Sequence, residues 1–244
     1  MTNPPSSLSK NDARVLNALF DAESSLSSGV AISNESIPAF ATDIEIKQRE
    51  SAAIIPLNSP QPSRPSVEKA IAELDGIINE RPQYASAYAN RAQANRLLLS
   101  AKSDDLAAMD LFSAKGVQLS QSILKDLTSA INMATPSPSA AVPTTDARLL
   151  SAAHTHRGYL LLQAAKSIST SSADSASVKL PESLRGLSSD TLEEMASMDF
   201  FWGGRYGNEV AKVLAVKTNP YAKMCGAIVK EALQEEMKQY QPTQ

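Results

Sequence analysis

The sequence predicts an all-α protein whose helices come in pairs. Three observations lead to that expectation. Only 5% of the 244 residues are aromatic although 43% are hydrophobic. Such a composition suits helices better than a β-sandwich, which draws on β-branched and aromatic side chains. Apolar residues recur at i, i+3, i+4 and i+7 through much of the chain, the stripe of a helix with one buried side. Proline-rich or serine-rich breaks divide these periodic stretches, and such breaks end helices.

The elements follow in order. NDARVLNALF opens the chain as a helix, with Asn11 or Ser9 as cap and Val15, Leu16, Leu19 and Phe20 at helical spacing. A polar, serine-rich arm runs from there to about Phe40. Ile44 to Leu57 reads as a second helix, capped by Asp43 and fraying at Pro56. Three prolines from Pro60 to Pro65 break the chain before VEKAIAELDGIINER, which Ser63 or Ser66 can cap. That helix stops at Pro82, and ASAYANRAQANRLLLSA follows at once, its Ala85, Ala89 and Ala92 permitting close helix approach. The stretch from Lys102 to Gly116 reads as helical or loosely ordered. LSQSILKDLTSAINMA is amphipathic and ends at TPSPS; a long helix spans Thr145 to about Lys166; SISTSSADSAS is a loop. SSDTLEEMASMDFFW has Ser189 or Asp190 as cap before an acidic first turn. NEVAKVLAV, capped by Asn208, and PYAKMCGAIVKEALQEEMK close the chain.

Charge and special residues exclude several classes. Net charge is −3 and the sequence pI about 5.5, so no basic footprint for nucleic acid is present. No cationic segment followed by an apolar one opens the chain, and the apolar run around Ala52 to Leu57 is far too short for a membrane span. The single cysteine, Cys225, rules out an internal disulfide and a multi-cysteine zinc site. These features place the protein in the cytoplasm, with the nucleus also open to it. They also make Asn34-Glu35-Ser36 a chance sequon.

Paired helices call for a repeat search. In the tetratricopeptide pattern, helix A carries an aromatic and then a small residue four later. Helix B carries small, large and small positions at fixed spacing and then a proline. Ala70, Leu74, Ile77 and Pro82 fit helix B; Tyr88 and Ala92 begin the next helix A; Ile123, Leu127 and Ala130 repeat helix B, with Pro136 one place late. His154 and Gly158 mark a third helix A, and Leu192 and Ala196 a degenerate helix B. Ala92 and Gly158 are 66 residues apart rather than one repeat, so the surplus is assigned to inserted loops, which fold at modest entropic cost. The expected architecture is an α-solenoid of three tetratricopeptide helix-turn-helix repeats with long inserted loops. An N-terminal helix and arm occupy 1–42, repeats of about 43–84, 85–141 and 142–204 lie within a domain spanning 43–218, and a C-terminal capping helix and tail occupy 219–244.

YASAYANRAQANRLL, with NDARVLNALF before it and NPYAKMCGAIVKEAL after it, resembles the tetratricopeptide repeat protein 36 family in the order of its blocks. The resemblance implies a protein-protein interaction adaptor or co-chaperone-like scaffold without catalysis, its partner a heat-shock chaperone or a client enzyme. Co-chaperones of this kind hold an acidic tail with a two-carboxylate clamp. Of the five clamp positions Asn90 alone matches; Glu50, Ile54, Ala152 and His156 stand at the others. The clamp is therefore not intact, and a different contact mode is expected.

Candidate partner-binding residues in the concave groove are Asn90, Gln93, Arg96 and His156, with Arg205 and Tyr206 as a corner contact. His154 and His156, two apart on a helix, point to different faces and do not form a joint metal site. Cys225 reads as a buried thiol on an amphipathic face. No phosphate-loop, dinucleotide or metalloprotease motif is present, so no cofactor, metal or catalytic residue is assigned. The alternative is a small-molecule-binding protein or enzyme with a site near Trp202, Arg205 and Tyr206. In DFFWGGRYGN, Gly203-Gly204 falls where the repeat would end helix B, and glycine is the usual terminator there.

Overall fold

Capping and breaking residues set the helix limits in the computed structural model, which describes residues 30–33, 41–100, 111–137, 141–170 and 178–239. Among the described residues there are eight α-helices and one short pair of strands. The helix expected at Asn11 to Phe20, and most of the arm after it, lie outside them. Helix α1 (Ala41–Ile54) gives way to a single 3-10 turn, Ile55–Asn58, at Pro56. It begins two residues before Asp43, so Asp43 lies in its first turn rather than at its cap. Helix α2 (Arg64–Glu80) is capped by Ser63, whose hydroxyl accepts from the Ser66 amide at 3.4 Å, with Pro65 in the first turn. The missing N–H of that proline would be unpaired there in any case.

Helix α3 (Ala85–Ser100) follows a four-residue corner, and α4 (Val117–Ala134) ends near Thr135. Strands β1 (Ile32–Ser33) and β2 (Val142–Pro143) pair in parallel, Ile32 opposite Val142. They bring residues near the start of the chain beside the start of α5 (Thr144–Thr170), where the Thr144 hydroxyl donates to the Ser33 carbonyl at 3.1 Å. Helix α6 (Ser189–Arg205) is capped by Ser188, one residue before the expected cap. Asn208 caps α7 (Glu209–Thr218), accepting from the Ala211 amide at 3.0 Å, and α8 (Pro220–Gln239) closes the described chain.

Consecutive helices pack on one another. The larger core joins α4, α5, α6 and α7 through buried Leu127, Leu150, Leu160, Leu192, Phe200 and Ala211; a smaller one gathers Ile46, Leu74, Ile77 and Ala87 from α1, α2 and α3. Each fully buried large side chain contributes roughly 1.5–3 kcal/mol of transfer free energy. The fold is all-α in its described helices. No described helix is long and apolar enough to cross a membrane.

The glycines of DFFWGGRYGN do not end the helix at Gly203-Gly204. Helix α6 runs through both, and the terminator is Gly207, whose φ of 104° is open to glycine. The Gly207 amide donates to the Gly204 carbonyl and the Asn208 amide to the Gly203 carbonyl, the two bonds of a Schellman close. Gly203 and Gly204 serve close approach instead. A Cβ on Gly203 would stand 2.6 Å from Thr155 Oγ1 of α5, and one on Gly204 would stand 3.1 Å from the Lys212 backbone N of α7. Cys225, expected to be buried, is exposed, because α8 lays no described side chain into a core.

Candidate functional site

Three helix pairs share one device. Arg49 Nε of α1 donates to Glu73 of α2 at 2.8 Å. Arg91 of α3 forks onto Asp126 of α4, Nε to Oδ2 at 2.8 Å and Nη2 to Oδ1 at 2.6 Å. Arg157 of α5 forks onto Asp199 of α6, both bonds at 2.8 Å. In the second and third pairs the bidentate fork matches the carboxylate plane, which makes them directional as well as strong. Equating Asp126 with Asp199 sets Leu127 against Phe200. It moves the third helix B one turn beyond the register that Leu192 and Ala196 suggest.

The third pair is the most elaborate. The Asp199 carboxylate, 5% exposed, also accepts from His154 Nδ1 at 2.8 Å. Burial alone pushes this carboxyl up, but the hydrogen bonds from Arg157 and His154 outweigh it and hold the group below the ordinary carboxylate range. An ionised Asp199 accepts the Nδ1 proton, which fixes the orientation of the His154 ring. Behind the imidazole lies a stack: Tyr206 at 6.0 Å and 19°, and Trp202 at 6.5 Å and 30°. Burial raises the Tyr206 phenol above its ordinary value. Arg205 covers the outer rings, 5.3 Å from Trp202 and 5.5 Å from Phe201. Its Nε is buried with no hydrogen-bond partner among the described residues.

On the other side of the Arg157–Asp199 pair opens a cleft of about 720 Å³ between α4, α5, α6 and the 3-10 turn Glu182–Leu184. Leu124, Leu161, Leu184, Met195 and Met198 form its apolar wall; Lys125, Thr128 and Arg157 bring polar groups. Arg157 Nη1 also donates to the Thr128 hydroxyl at 3.2 Å, which ties the rim of α4 to the buried pair.

The residues singled out from the sequence are distributed differently. Asn90 donates to Glu50 of α1 at 2.7 Å, and Tyr84 donates to the other oxygen of that carboxylate at 2.6 Å, so Asn90 belongs to the α1–α3 seam. Gln93 is exposed. Arg96 and His156 meet electrostatically between α3 and α5. Burial first, and then the Arg96 charge, push the His156 imidazole down to about 4, and its Nε2 is buried without a partner among the described residues. Arg205 and Tyr206 belong to the ring stack. None of the six lines the cleft. Arg157, Asp199 and Lys125 are not marked out by the sequence reading. The available signal was Arg91 and Arg157, each standing one residue before the matched small positions Ala92 and Gly158.

Comparison with known proteins decides the family. The chain is 48% identical over 244 residues to the L-tyrosine degradation gene cluster protein hmgX of Aspergillus fumigatus, an alignment covering 95% of this chain and 94% of that protein. The chain belongs to the hmgX family. No family model matches it, and no solved structure matches it. This corrects the assignment to tetratricopeptide repeat protein 36, and with it the adaptor or co-chaperone function and the tetratricopeptide and chaperone descriptors. The physical reason is that small residues at helix crossings and prolines at helix ends are demands of packing. Any set of stacked helical hairpins meets them, so they carry little family information. The hmgX relationship rests instead on nearly half of all aligned positions.

Proposed function

We propose that this chain acts in L-tyrosine degradation and that it does so by holding a carboxylate-bearing metabolite in the cleft between α4, α5 and α6. The observation that carries the reading is the 48% identity, over nearly the full length of both chains, to a protein of an L-tyrosine degradation gene cluster. The cleft supplies the chemistry: an apolar wall for the body of the ligand, and Lys125 for its charge. The reading assigns the cleft binding and no bond-making step. Arg157 and Asp199 occupy one another, and His154 does not line the cleft. The same reading treats α1 to α6 as a short α-solenoid of three hairpins, closed by α7 and α8. The arginine–acid pair recurring at Glu73, Asp126 and Asp199 supports it.

Removal of the gene from the source organism tests the process. The strain is expected to fail on L-tyrosine as carbon source and to recover with this chain restored. Growth and tyrosine consumption at the wild-type rate would sink the proposal. Lys125→Glu tests the place. Lys125 is exposed and in no described ion pair, so the variant folds, yet it is expected not to restore growth. Calorimetric titration with L-tyrosine and with phenylacetate then measures carboxylate binding directly.

A further inference from the structure

Helix α8 exposes the wrong side. Met224, Ile228, Val229, Leu233 and Met237 are 54–70% exposed, and every described side chain of the helix faces solvent. A helix about 30 Å long owes most of its stability to packing of an apolar face. That face here has no counterpart among the described residues. Next to it, α7 adds Val210, Val213 and Val216, each more than half exposed.

The charges along α8 say what covers it. Its first eleven residues, Pro220 to Lys230, hold two lysines and no acid; its last nine hold three glutamates and one lysine. The dipole favours the reverse arrangement, acids at the N-terminal end and cations at the C-terminal end. A second α8 running antiparallel would set the basic half of each helix against the acidic half of the other. It would also oppose the two dipoles. A two-fold axis produces that match twice, since each patch meets its own copy reversed.

We propose that α8 is half of an antiparallel helix pair joining two copies of this chain, with the valine face of α7 at its flank. This inference stands apart from the reading of the cleft. Sedimentation of the full chain across a dilution series tests it. The expected result is a species of twice the 26.0 kDa chain mass. Ile228→Glu with Leu233→Glu is expected to give a monomer whose circular dichroism stays helical. A wild-type monomer, or a dimer that survives this double substitution, would overturn the proposal. Orientation is read by charge exchange. Glu231→Lys, Glu235→Lys and Glu236→Lys together should weaken the dimer at least about tenfold through like-charge contact. Adding Lys223→Glu and Lys230→Glu to the same chain should restore it. In a parallel pair like halves abut, so the lysine changes would weaken it too but the second exchange would not restore it, and that outcome overturns the antiparallel arrangement.

Discussion

The hairpins α3–α4 and α5–α6 carry the same arginine fork and surround it differently. In α3–α4 the extra partners belong to the arginine: Arg91 also reaches Asp75 of α2 at 2.6 Å and lies 5.5 Å over the Tyr88 ring. Asp126 has no second partner beyond that fork in the described hydrogen bonds. In α5–α6 Arg157 keeps one extra contact, to the Thr128 hydroxyl of α4 at 3.2 Å, and the acid gains a partner as well. Asp199 takes His154 as well, and His154 leads into a ring stack. Surplus acid around an arginine ties neighbouring hairpins together. A surplus donor on a buried acid instead orients a histidine ring within its own hairpin.

Removing the acids breaks the comparison most sharply. Asp199→Ala leaves Arg157 and His154 without their buried partner and should cost about 3–5 kcal/mol. Asp126→Ala leaves Arg91 with Asp75 and should cost about 2 kcal/mol, the worth of a charged hydrogen-bond pair. Urea unfolding of both variants measures the gap; equal losses would mean that His154 adds nothing to the third joint.

The next test concerns packing. At equivalent places the second hairpin has Ala92 and Leu127, the third Gly158 and Phe200. A Cβ on Gly158 would stand 2.9 Å from Phe200 Cε1 and 3.2 Å from the Ala196 carbonyl oxygen. Gly158→Ala should therefore cost about 1–3 kcal/mol through overpacking. Phe200→Leu in the same chain should recover part of that loss by importing the second hairpin's solution. A strictly additive double variant in a thermodynamic cycle would show that ring and glycine are not matched.

Much of this is legible in the sequence, and the failures have physical causes. Helices declare themselves because apolar spacing and proline breaks are local. The cap of α6 lies one residue from the expected one, since Ser188 and Ser189 carry the same hydroxyl and either could accept from the first turn. Gly203-Gly204 reads as a terminator because glycine serves both helix ends and helix crossings, and only the neighbouring Thr155 and Lys212 distinguish the two. Cys225 reads as buried because an amphipathic face implies a cover, but a sequence does not say whether the cover lies in the same chain. The arginine–acid pairs are hidden because their members are 24, 35 and 42 residues apart in the three hairpins, with inserted loops changing the distance each time.

The seam between the hairpins responds to pH. His156 is held near 4 by burial and by Arg96, whereas in the unfolded chain it titrates near its ordinary value of about 6.5. Between those values the unfolded state binds the extra proton, so stability falls as pH is lowered from 6.5 toward 4. His156→Leu should flatten that segment of the stability profile by on the order of 2 kcal/mol, since a tenfold difference in proton affinity is worth about 1.4 kcal/mol. An unchanged slope in denaturation midpoints would place the proton uptake elsewhere. Asp199 acts lower. Its depressed carboxyl stabilises the fold above the ordinary aspartate value, and that contribution disappears as pH falls through the folded one.

The smallest effect belongs to Arg205 and separates the corner from the cleft. Its guanidinium over Trp202 and Phe201 contributes about 0.5–1 kcal/mol as an exposed cation–π contact. Its buried Nε–H lacks a partner among the described residues, and an unmade buried bond costs about 1–3 kcal/mol. The two effects oppose one another, so Arg205→Ala should leave stability within about 1 kcal/mol of wild type. Unfolding followed by the fluorescence of Trp202, the only tryptophan, reads this directly. Growth on L-tyrosine should also be retained, because Arg205 does not line the cleft, whereas Lys125→Glu should abolish it. If Arg205→Ala abolished growth with stability intact, the ring stack rather than the cleft would be the working surface of the third hairpin.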